Sequence, residues 1–232
     1  MRRILLVLLA GLAAAVFVTG SATADDEGDD EGGAAKTWLV TVANLTPPGP
    51  GAPGSQPLSP PLFVVHSGKA DVWSVGEIAS HGVAAIAEDA NNTVLESALP
   101  ALPGVKTVFS GAGGPIPSGE SRTFTVETSG RFNRLSLVTM LVNTNDAFTG
   151  LDSLRLRGQG ASLATMAHDA GSERNNELES HIPGPCCENL FVRDPEGALI
   201  GPHEGITGRG DLDPALYDWP EPAARITIQR VD

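Results

Sequence analysis

The chain has 232 residues, of which 41% are hydrophobic and 19% are charged, and its formal net charge is −13. This length suits one large all-β domain or two small ones. A surface with this negative charge is repelled by nucleic acid and by anionic lipid. Neither is therefore expected as a partner. The same charge suits an exported protein that meets divalent cations.

The N-terminus has the order of a secretory signal. Arg2 and Arg3 precede the apolar stretch Ile4–Val18, and Ala22-Thr23-Ala24 has the small residues of a cleavage site. Residues 1–24 are therefore predicted to be a signal peptide. A membrane anchor is the alternative, although the stretch is short for a span. We expect a secreted, periplasmic or extracellular protein with no transmembrane segment after cleavage.

An acidic, glycine-rich tract follows the signal. Residues 25–35 carry carboxylates that repel one another and too few apolar side chains to build a core. This composition predicts a disordered linker. The folded domain is expected to span residues 36–232.

The segments of this domain predict mainly β structure. The strands are expected at Trp38–Ala43, Leu62–His66, Lys106–Ser110, Arg122–Glu127, Leu135–Val142, Ala161–Ala167, Leu190–Arg193 and Ala224–Arg230. The spacing of apolar residues predicts a helix over Glu77–Asp89, with Ile78 on its apolar face, and a second helical turn over Thr93–Leu99. Many short strands and one helical region indicate an antiparallel β-sandwich with a short helical insert.

Two acidic loops form the candidate functional centre. The run Leu135–Val142 stops at Asn143-Thr144-Asn145-Asp146, and the run Ala161–Ala167 leads into Asp169-Ala170-Gly171-Ser172-Glu173. We expect the two loops to lie at the same end of neighbouring strands. Oxygen-bearing side chains clustered in this way favour Ca²⁺, which accepts irregular oxygen cages.

The metal hypothesis assigns a role to individual side chains. Asp146, Asp169 and Glu173 are the candidate ligands, because Gly171 lets the second loop curl so that both of its acids face one ion. Asn145 is an additional candidate, and Glu177 is a candidate substitute for Glu173. The alternative is that these acids only form turns and keep the surface soluble.

A hydrolase is the main enzymatic alternative. His168, Asp169 and Ser172 could supply a base and a nucleophile. However, the sequence has no Gly-x-Ser-x-Gly elbow, no His-Glu-x-x-His motif and no phosphate-cradling glycine loop. We therefore expect a protein that is not an enzyme.

Two further motifs leave their roles open. Cys186 and Cys187 are adjacent and could be free, joined to each other or paired between molecules. Arg209-Gly210-Asp211 matches the integrin-binding tripeptide, and a chance match is the alternative.

Several stretches together resemble the spondin N-terminal domain, the module of F-spondin and mindin that also occurs alone in bacterial exported proteins. They are Asn44-Leu45-Thr46, Gln56-Pro57-Leu58-Ser59-Pro60-Pro61, Leu141 to Asp152, Asp169 to Glu173, and Ala224 to Ile228. The pair formed by Asn145-Asp146-Ala147-Phe148-Thr149-Gly150-Leu151-Asp152 and Asp169-Ala170-Gly171 is the most specific part of the resemblance.

The resemblance implies a C2-like antiparallel β-sandwich with one bound Ca²⁺ and a role in adhesion. It places the metal carboxylates at Asp146, Asp169 and Glu173. Animal members carry Asp at the last of these positions, so Glu173 departs from the pattern by one methylene. They also continue into Cys- and Trp-rich repeats, so their partners are not carried over. The expected function is calcium-dependent, non-catalytic binding of an extracellular or envelope ligand, with a metal-free structural envelope protein or a secreted hydrolase as alternatives.

Overall fold

The computed structural model describes residues 33–49 and 54–231. Its strands are β1 (Lys36–Asn44), β2 (Leu62–His66), β3 (Val105–Ser110), β4 (Ser121–Thr128), β5 (Arg134–Met140), β6 (Ala147–Arg155), β7 (Gly160–Thr165), β8 (His168–Asp169), β9 (Gly201–Pro202) and β10 (Ala224–Arg230). Its helices are α1 (His81–Asp89), α2 (Asn92–Ala98) and α3 (Pro214–Tyr217). The predicted signal, 1–24, and residues 25–32 of the predicted linker lie outside the described residues.

The strands form two antiparallel sheets. One sheet has the order β4-β1-β10-β7 and the other has the order β3-β2-β5-β6-β8-β9. The first strand therefore pairs with the last, with Val40 opposite Ile228. The predicted fold class, a mainly β antiparallel sandwich with a short helical insert, is confirmed.

The main core fills the space between the two sheets. Alternate residues of β1, Trp38, Val40 and Val42, are buried there against Phe63 of β2 and Leu137 of β5. Strand β1 follows the period-2 pattern because its other face is only partly covered.

A second core lies between the six-stranded sheet and the helices. Leu62 and Val138 of the sheet pack there with Val83 and Ile86 of α1 and with Leu95 of α2. Strands β2 and β5 are therefore buried on both faces, which explains why each strand carries apolar residues on both faces.

Helix α1 begins four residues later than predicted. Ser80 is the N-cap, because its side chain accepts a hydrogen bond from the Val83 N–H, and the helix ends at Ala90, which adopts a left-handed conformation. The prediction that Ile78 lies on the apolar face of the helix is wrong: the residue precedes the cap and is 62% exposed.

The strand predicted over Leu190–Arg193 does not form. Phe191 has φ +64, which a strand cannot accommodate, and Leu190 and Phe191 are exposed in a turn. The apolar residues suggested a strand, but in the folded protein they lie on a surface segment that packs beside α1.

No helix within residues 33–49 and 54–231 combines the length and the apolar character needed to span a bilayer.

Candidate metal centre

The turn between β5 and β6 is buried, although its residues are polar. All four residues from Asn143 to Asp146 are at most 2% exposed. The Thr144 hydroxyl donates to the Leu141 carbonyl at 2.7 Å and accepts from the Ala147 N–H at 3.0 Å. These local bonds close the turn and direct Asp146 towards the loop 169–173.

Asp146 uses its two carboxylate oxygens differently. Oδ2 accepts hydrogen bonds from the Ser172 N–H at 2.8 Å, the Ser172 hydroxyl at 3.1 Å and the Glu173 N–H at 2.9 Å. Oδ1 is buried and has no hydrogen-bond partner. Burial, followed by the charge of Asp169, raises the pKa of Asp146 to about 7.

Asp169 lies beside Asp146, but not for the reason predicted. The predicted neighbours, β5 and β7, belong to different sheets, so the expectation of adjacent strands is wrong. The short strand β8 instead pairs with the start of β6, with Asp169 opposite Ala147. The Ala170 N–H also donates to the Asp146 carbonyl at 3.2 Å.

The Asp169 carboxylate caps its own loop. Oδ1 accepts from the Gly171 N–H and Oδ2 accepts from the Asn175 side-chain amide, both at 2.6 Å. Burial raises the pKa of Asp169. Gly171 has φ +67, and a Cβ there would lie 2.5 Å from the Ala198 carbonyl oxygen, so the curl of the loop requires glycine.

Glu173 is fully buried, and neither of its carboxylate oxygens has a hydrogen-bond partner. Its nearest cation is Arg193, whose Nε lies 3.4 Å from Oε1. Burial, followed by the charges of Glu88 and Asp146, raises the pKa of Glu173 to about 8. A bound cation would therefore stabilise the ionised form of this carboxyl group.

Asn145 and Glu177 hold the surrounding loops. Asn145 Oδ1 accepts from the Glu177 N–H at 3.2 Å, and its amide donates to Asn176. The Glu177 carboxylate accepts four hydrogen bonds from residues 207–209. Burial alone would raise the pKa of Glu177, but these bonds together lower it. Glu177 is therefore already engaged and is not placed to replace Glu173.

The oxygen chemistry of the site fits a hard cation. Three oxygens, Asp146 Oδ1 and both carboxylate oxygens of Glu173, are buried without a hydrogen bond. The three candidate acids supply only oxygen ligands, and an all-oxygen set favours Ca²⁺ over Zn²⁺.

Across 33–49 and 54–231, no three His, Cys, Asp or Glu side chains converge as a preformed metal cage. Both oxygens of Asp169 accept hydrogen bonds, from the Gly171 N–H and from the Asn175 side-chain amide. Each carboxylate oxygen has two lone pairs, so Asp169 can keep these bonds and still offer an oxygen to an ion.

Asn175 and the buried His203 form a chain of hydrogen-bonded side chains that supports Asp169. The Asn175 amide donates to Asp169, and Asn175 Oδ1 lies 3.1 Å from His203 Nε2. The other ring nitrogen of His203 accepts from the Gly205 N–H, so Nε2 carries the proton and donates to Asn175. Burial lowers the pKa of His203 to about 4, which keeps the ring neutral.

Two contributors to this site, Arg193 and His203, were not found by sequence reasoning. Both lie outside the two acidic loops, and Arg193 belongs to the segment predicted as a strand. Their contacts with Glu173 and Asn175 arise from tertiary packing and have no local sequence signal.

The remaining sequence candidates are placed as follows. Ser172 donates its hydroxyl to Asp146 rather than to His168. Cys186 and Cys187 are joined by a disulfide. In the Arg-Gly-Asp tripeptide, Asp211 Oδ2 accepts from the Glu179 N–H at 3.1 Å, so its carboxylate is engaged within the fold.

The fold and the site together define an antiparallel β-sandwich with buried acidic loops at one edge of its six-stranded sheet. The sequence profile of the Spondin_N family matches residues 53–173, which include β2 to β8 and all three candidate ligands. The chain belongs to the spondin N-terminal domain family. A comparison with curated proteins gives no match.

Proposed function

We propose that this protein is an exported, non-catalytic adhesion module that binds one Ca²⁺ through Asp146, Asp169 and Glu173. Spondin N-terminal domains are extracellular, adhesion-type modules and a non-enzymatic kind of domain, which supports this class of function. The ligand would be an extracellular or envelope component. The net charge of −13 disfavours nucleic acid as that ligand.

One observation carries the metal part of the proposal. Asp146 Oδ1 and both Glu173 oxygens are buried without hydrogen bonds, and their carboxyls have pKa values raised to about 7 and about 8. Buried carboxylates are normally paired or bound to a metal. When bound, a calcium ion would supply the positive charge that these oxygens lack and would hold the two acidic loops together.

The test is calorimetric titration of calcium into metal-stripped protein, with melting temperature as a second readout. At calcium a hundredfold above its dissociation constant, binding should stabilise the fold by about 2.7 kcal/mol. Asp146→Asn is the sharpest variant, because the asparagine oxygen can keep the bonds from Ser172 and Glu173 while the charge and the free oxygen are lost.

Asp152→Asn is the matched control. It makes the same chemical change on strand β6, but Asp152 is exposed and accepts a hydrogen bond from Ser74. Calcium heat in the wild type and the control, with none in Asp146→Asn, is the expected result. Equal melting temperatures of the wild type in calcium and in chelator, with no calcium heat, would favour the metal-free structural alternative.

A further inference from the structure

Arg193 connects helix α1 to the candidate metal centre. Its Nε lies 2.7 Å from Glu88 Oε2 and 3.4 Å from Glu173 Oε1, and its guanidinium also forms an ion pair with Asp89. The guanidinium is thus shared among three carboxylates that are all largely buried. The longest of the measured contacts is the one to Glu173.

Backbone contacts on both sides of Arg193 fix its position. The Phe191 N–H donates to Asp89 Oδ1 at 3.1 Å. Beyond Arg193, the Asp194 carbonyl accepts from the Arg174 N–H at 2.9 Å, and the Glu196 N–H donates to the Ser172 carbonyl at 3.0 Å. These hydrogen bonds hold the segment 191–196 against α1 and the acidic loop. The Arg193 side chain is therefore positioned beside Glu173.

We propose that Arg193 is the resident counter-ion of Glu173 and that it sets the calcium affinity of the site. This inference rests on the proposed function. In the metal-free protein the guanidinium lies beside Glu173 and favours its ionised form. When calcium binds Glu173, Arg193 keeps its partners Glu88 and Asp89 and gives up only its contact with Glu173.

Arg193 should have opposite effects on the metal-free and on the calcium-bound protein. Without metal, its positive charge stabilises a cluster of buried acids. With metal, the same charge repels a divalent ion bound to the same carboxylate. A purely structural arginine would stabilise both states alike, so the signs of the two effects distinguish the roles. Arg193 lies outside the stretch 53–173 that matches the family.

The test compares Arg193→Gln with wild type in two measurements on the full mature chain. The first is the melting temperature in chelator, which should fall by several degrees because Glu88, Asp89 and Glu173 lose their shared cation. The second is calcium titration, in which the dissociation constant should become about tenfold tighter.

Two matched variants control the interpretation. Arg174→Gln removes the same charge from the same region, but Arg174 is 59% exposed and pairs with Asp194, so both readouts should stay close to wild type. Arg193→Lys keeps the charge and should keep the dissociation constant within about threefold of wild type.

The outcomes separate this inference from the proposed function. Absence of calcium heat in every variant would refute the proposed function and the affinity role together. Calcium binding by the wild type with an unchanged or weaker constant in Arg193→Gln would overturn only the role of Arg193. A Lys variant as tight as the Gln variant would assign the change to side-chain shape and would also overturn it.

Discussion

Glu173→Gln is expected to stabilise the metal-free protein at alkaline pH. The ordinary pKa of this carboxyl is 4.5, and in the fold it is raised to about 8 by burial and by the neighbouring acids Glu88 and Asp146. Between these values the folded protein holds a proton that the unfolded chain has released. Its contribution to stability is therefore full below pH 4.5 and is lost as the pH rises through about 8. The loss corresponds to up to about 5 kcal/mol.

The assay is urea unfolding in chelator from pH 4 to pH 9. The relevant quantity is the free energy of unfolding of Glu173→Gln minus that of the wild type, because the other titrating groups contribute to both. The difference should be small near pH 4.5 and should grow to a few kcal/mol above pH 8. Glu120→Gln, which replaces an exposed acid at the start of β4, should give no such trend.

Calcium should reverse the sign of this difference. A bound cation favours ionised Glu173, so in saturating calcium the wild type should be the more stable protein at pH 8 and above. A difference that is flat with pH in chelator, or that has the same sign with and without calcium, would refute the assignment of Glu173 as a buried, cation-demanding carboxylate.

Three more substitutions test the supporting structure. Val138→Ala should lower the free energy of unfolding by about 2–4 kcal/mol in urea denaturation, because the side chain is fully buried between the sheet and the helices. Gly171→Ala should lower both the melting temperature and the calcium affinity, because its φ is positive and the Ala198 carbonyl leaves no room for a Cβ. Glu177→Gln should lower the free energy of unfolding by about 2–3 kcal/mol, because its carboxylate accepts four hydrogen bonds from residues 207–209. Calcium titration should show that this last variant still binds the ion, and a complete loss of binding would contradict the assignment of Glu177 to loop support.

The sequence predicted the parts of the fold that depend on local pattern. Leu135–Val142 was predicted as a strand because the run is rich in apolar and β-forming residues, and the structure has β5 there, over Arg134–Met140. The closing strand, Ala224–Arg230, was predicted with the bounds that the structure has. In both segments the pattern of side chains and the final burial agree.

The parts that failed depend on contacts between distant segments. The expectation that β5 and β7 are neighbours was wrong, because β7 pairs with β10 in the other sheet. The exposed turn at Phe191 was predicted as a strand, since neither its positive φ nor the attachment of Arg193 to α1 has a local sequence signal. The two acidic loops were correctly predicted to be neighbours. They are brought together by the pairing of β8 with β6, which was not predicted.

The two carboxylate oxygens of Asp146 have different roles, and this difference explains why loop structure and metal binding should be coupled in this domain. Oδ2 gathers the N–H groups of Ser172 and Glu173, so it fixes the backbone that carries Glu173. Oδ1 is left buried and unpaired beside the same loop. Folding the loop onto Asp146 therefore places Glu173 near Asp146, whose charge raises the pKa of Glu173. If calcium binds as proposed, the ion would stabilise the conformation that creates its own site, and the loop would be more stable where calcium is plentiful.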